Sequence, residues 1–143
     1  METTRILPSL QASLLCEEVR QEANGNFFII GIINFLGAPQ LPIMAGRLCV
    51  FNRWTAGVGQ FTETIQLLAP DQTTMLRKGE AKFELSGPGF HSTNVMAFSQ
   101  IEFKAAGTYF IEVLVDGVMK LRYPLILALA PPNQNPPPEE KKA

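Results

Sequence analysis

Apolar and polar residues alternate over much of this chain with the two-residue period of extended strands. From Tyr109, every second residue (Tyr109, Ile111, Val113, Val115) is apolar, a face that only a strand presents to a core. Ala105-Ala106-Gly107-Thr108 reads as a corner before this strand. Asp116-Gly117 reads as a two-residue hairpin turn after it, with a further strand over 118–129. Upstream, residues 10–22 alternate as a strand, Asn24-Gly25 closes a hairpin, and an apolar run follows over 27–36. The segment 37–46, with Pro39 and Pro42, is too long and proline-rich for a tight turn and predicts a connection that crosses to another sheet. Strands are then predicted over 47–55, 60–68, 73–76, 81–85 and 92–103, punctuated by Gly57-Val58-Gly59, Pro70-Asp71 and Gly87-Pro88-Gly89. No segment carries a helical period. Seven to nine short strands separated by turns predict an all-β, antiparallel two-sheet β-sandwich over residues 10–130.

Length suits one domain with a sizeable core. Apolar residues make up 46% of the chain and charged residues 17%, below the usual quarter, so much of the surface belongs in a core or an interface. A formal charge of −1 offers no field for phosphates or acidic lipids, which argues against nucleic acid and membrane partners. The opening residues lack the basic and unbroken apolar regions of a signal peptide, and the run over 27–36 is too short to span a bilayer; a cytoplasmic protein is expected. Cys16 and Cys49 then read as two buried free thiols. The tail over 131–143 is proline-rich without P-x-x-P spacing and is expected to be disordered.

Two resemblances extend this picture. Gly107-x-Tyr109-x-Ile111 is similar to the tyrosine corner of immunoglobulin-like domains, whose tyrosine hydroxyl bonds back to the backbone, and Trp54 at the end of the 47–55 strand is similar to their core tryptophan. A likeness over residues 14–129 rests on Leu14-Leu15-Cys16-Glu17-Glu18-Val19-Arg20, Asn24-Gly25, Ile29-Ile30-Gly31-Ile32, Arg47-Leu48, Arg53-Trp54, Gly107-Thr108-Tyr109 and Val115-Asp116-Gly117. In these the chain resembles a family of small uncharacterised bacterial proteins. The resemblances imply an immunoglobulin-like sandwich with no assigned activity.

Candidate chemistry is sparse. His91 is the only histidine, no ligand pair has metal spacing, and no cofactor motif is present, so no metal or cofactor is expected. Ser86, Ser92 or Cys49 could be combined with His91 and Asp71, but Glu84-Leu85-Ser86-Gly87 lacks the first glycine of a nucleophile elbow, and no catalytic residue is assigned. The loop Gly87-Pro88-Gly89 places Phe90 and His91 together; with Trp54 they form a candidate ligand site, the basis of an alternative reading as a small-ligand or carbohydrate-binding module.

Apolar residues exceed what one core face can take. If Leu48, Val50 and Trp54 point inward, Cys49 and Phe51 point outward, as do Phe110 and Leu114 opposite the Tyr109 face. In an immunoglobulin-like order the 47–55 strand and the strands flanking Asp116-Gly117 share a sheet. Cys49, Phe51, Phe110 and Leu114 would then merge into a patch that a monomer would not leave in water. The expectation is a non-catalytic interaction module, either a homodimer through that patch or bound to another protein. The competing expectation is that a loop such as Leu41-Pro42-Ile43-Met44 covers the face.

Overall fold

In the computed structural model, which describes residues 4–129, the chain forms nine strands: β1 (Ser9–Gln21), β2 (Phe27–Ile32), β3 (Leu36–Ala38), β4 (Ile43–Thr55), β5 (Val58–Leu68), β6 (Met75–Ser86), β7 (His91–Phe103), β8 (Gly107–Val115) and β9 (Val118–Leu129). They make a four-stranded sheet in the order β2-β1-β4-β7 and a five-stranded sheet in the order β3-β9-β8-β5-β6. The all-β reading holds. The arrangement is not purely antiparallel, because β3 runs parallel to β9. The strand bearing Trp54 and the strand bearing Tyr109 lie in opposite sheets, so the shared sheet expected from an immunoglobulin-like order is not formed. No helix among the described residues is long and apolar enough to cross a membrane. The tail predicted over 131–143 lies outside the described residues.

Alternation sets the core. Leu48, Val50 and Trp54 of β4 meet Phe61, Ile65 and Leu67 of β5 and Tyr109, Ile111, Val113 and Val115 of β8, all buried in one cluster. Trp54 stacks on Phe83 and Phe103 meets Tyr109 edge-on, both at favourable centroid separations of 5.6 and 4.9 Å. Tyr109 donates its hydroxyl proton to the carbonyl of Ala105 at 2.6 Å, the bond expected of a tyrosine corner. Asp116 and Gly117 have φ of 49° and 81°, the two positive values that a type I′ turn requires.

Four boundaries differ from expectation, the first being that β4 begins at Ile43, inside the segment 37–46 read as a connection. The 27–36 run is not one strand: it breaks after Ile32, and β3 pairs in the other sheet. The chain therefore crosses between sheets before Leu36 and returns after Ala38 to place β4 beside β1. The separate strands expected over 73–76 and 81–85 are one strand, β6, continuous through Lys78, Gly79 and Glu80 because every residue from Arg77 to Ser86 pairs with β5. Finally, a segment before β1 is tied down: Ile6 bridges Val58, and the Arg5 guanidinium bonds Asp116 while lying 4.8 Å above the Phe61 ring.

Candidate functional site

The β1–β2 hairpin does not continue the plane of its sheet. Phe51 is opposite Leu14 on β1 and Phe27 is opposite Gln21, seven residues further along the same strand. In a flat sheet that offset would separate the two rings by roughly 23 Å, yet their centroids are 6.1 Å apart, edge to face. The chain bends where β1 passes from β4 to β2, at Cys16, which pairs with both. Beyond it the hairpin folds back over the outer face of β4, and the Cys49 thiol donates to the Glu17 carbonyl at 3.6 Å. Gly31 makes the bend possible: its φ is +69°, and a Cβ there would lie 2.7 Å from Cδ of Glu17.

Folding back sorts β2 by parity. Phe27 and Ile29 turn under and are partly buried, whereas Phe28, Ile30 and Ile32 face out at 49, 38 and 53% exposure. Phe35, just beyond, is 59% exposed. On the neighbouring strand, Arg20 and Glu18 stand opposite Phe28 and Ile30 and pair with each other at 2.9 Å. The outward face of the hairpin is thus an apolar row on β2 bordered by one ion pair on β1.

Among the described residues β2 pairs only with β1, so its other backbone edge is open. The remaining sheet edges are managed. β3 is three residues long. β6 carries Arg77, Lys78, Glu80, Lys82 and Glu84. On β7, the carbonyls of Ser99 and Gln100 accept the two Nη groups of Arg77 at 3.0 and 2.7 Å. Short length, charge and capping are the devices that keep edges from pairing. β2 has no charge, no proline and no cap.

Of the residues singled out by the sequence, Cys49 and Phe51 are buried beneath the hairpin. Phe110 and Leu114 are half-buried on the other sheet, with the Arg122 guanidinium 4.4 Å above the Phe110 ring. The four do not form one patch. The cover over Cys49 and Phe51 is the β1–β2 hairpin and not the 41–44 loop. Trp54 is fully buried and cannot meet a ligand, while Phe90 is exposed in its loop and exposed His91 faces a groove of about 550 Å³ under the β1–β2 turn with Asn26, Arg53 and Thr93. Among the described residues no group of three or more His, Cys, Asp or Glu is placed to hold a metal ion.

Sequence reasoning missed a second polar feature, a carboxylate between the sheets. Glu63 of β5 is fully buried and accepts hydrogen bonds from Nδ2 of Asn52 and, at 2.9 Å, Nδ2 of Asn94. Asn52 Oδ1 and Trp54 Nε1 are buried beside it without hydrogen-bond partners. Burial pushes the Glu63 carboxyl up, against the lowering effect of the hydrogen bonds from Asn52 and Asn94. Parity held the signal: Glu63 is in phase with Phe61, Ile65 and Leu67, and Asn52 with Leu48, Val50 and Trp54.

A family model described as a family of unknown function, DUF6941, matches residues 11–128. No curated protein matches the chain.

Proposed function

The chain belongs to the DUF6941 family, whose description assigns no activity, and on the geometry of the site we propose that it is a non-catalytic interaction module that adds a partner's extended strand to the open edge of β2. One observation carries this reading. β2 is the only sheet edge among the described residues without charge, capping or extreme shortness, and it presents three half-exposed apolar side chains in a row. Strand addition uses both features: unpaired backbone groups supply the ladder, and alternate side chains supply contact area.

Hydrogen exchange measured by mass spectrometry tests the proposal, with a lysine-capped peptide of alternating valine and threonine titrated into the full chain. Slower exchange confined to β2 and the adjoining part of β1 is expected. Protection at β6 or β7 instead, or no protection at saturating peptide, overturns the proposal.

A further inference from the structure

Resting on that reading of the β2 edge, we infer that its occupant is a second copy of this chain, paired antiparallel through β2 about a two-fold axis at Ile30. The symmetry of the strand is the first argument. Centring on Ile30 sets Ile30 against Ile30 and Phe28 against Ile32, so the exposed apolar side chains of the two strands meet one another across the new ladder. The second argument is charge. An isologous contact places every residue near its own copy, which would repel on a charged edge such as β6; the six residues of β2 are uncharged. The third is the border. Glu18 and Arg20 flank Phe28 and Ile30 on the outward face, so the paired hairpins would have an apolar centre between two polar margins, the usual anatomy of an interface.

Size sets the strength. Phe28, Ile30, Ile32 and Phe35, each about half exposed, offer roughly 350 Å² of apolar surface per copy. That is under the roughly 800 Å² per partner of a stable complex, so the dimer is reversible and dissociates on dilution.

Light scattering on the full chain across a dilution series, under reducing conditions, tests the inference. A mass rising with concentration toward two chains is expected for the parent protein. Ile30→Lys and, separately, Phe28→Lys should hold the mass at one chain at every concentration. Both positions are exposed, and circular dichroism spectra matching the parent would show that the fold is kept. Dimerisation of the folded variants would move the contact off β2 and overturn the inference, as would a parent protein that stays monomeric throughout. The peptide titration separates the two levels. A monomeric chain whose β2 is still protected by the valine–threonine peptide loses the second copy and keeps the edge; a monomeric chain without protection loses both.

Discussion

Glu63 is the residue whose chemistry most exceeds what an all-β core needs. Among the described residues it is the only charged side chain that is buried, and its partners are neutral amides from β4 and β7. Without a cation, burial dominates and raises its pKa above the ordinary 4.5. The folded chain therefore holds this proton more tightly than the unfolded chain does. Its contribution to stability is full below that ordinary value and is lost as pH rises through the folded value. Glu63→Gln stays neutral throughout, and its amide can donate to the unpartnered Asn52 Oδ1. Urea unfolding midpoints of the parent should fall between pH 4 and pH 8 relative to those of Glu63→Gln; parallel midpoints would exclude a raised pKa. Glu63→Ala should destabilise at any pH, since it strands the Asn52 and Asn94 donors at about 1–3 kcal/mol each.

At the scale of the element, the β1–β2 hairpin is a lid of the chain's own making over Cys49 and Phe51. Its bend depends on Gly31, where a methyl group would meet Glu17 and would have to adopt a left-handed conformation. Gly31→Ala should cost about 1–2 kcal/mol. The hairpin should also lift locally before the two sheets unfold, because among the described residues β2 is an edge strand paired only with β1. The two cysteines report this, being buried and not joined by a disulfide, with Cys16 pushed up by burial and then by the neighbouring Cys49. An aromatic disulfide reagent should label native Gly31→Ala several-fold faster than the parent. An unchanged melting temperature with unchanged labelling would show that position 31 accepts a side chain.

For the whole molecule, what could be read from the sequence divides along locality. The turn at Asp116-Gly117 and the face of Tyr109, Ile111, Val113 and Val115 follow from neighbouring residues alone, and both form as expected. The partition of strands between sheets depends on pairings distant in the chain, such as Leu14 with Phe51, and period-two alternation is blind to them. That is why Cys49 and Phe51 read as exposed and Phe110 and Leu114 as their neighbours, while the open row on β2 passed for the middle of a longer strand. The approach of the two sheets along their other side is equally non-local. There β6 approaches β7 so closely that a Cβ at Gly79 would lie 2.0 Å from Sδ of Met96, and Arg77 reaches across to the carbonyls of Ser99 and Gln100. Arg77→Leu keeps an apolar stem and removes two charge-assisted bonds, so it should destabilise by about 2–3 kcal/mol. It also uncaps the β7 edge, so aggregation on partial heating should exceed that of the parent compared at the same fraction unfolded. Lys78→Leu is the control on the same strand: its exposed pair with Glu80, at 3.7 Å, contributes roughly 0–1 kcal/mol. Equal losses from the two variants, measured by urea unfolding, would mean that Arg77 acts only as surface charge and that the sheets are held together by their core alone.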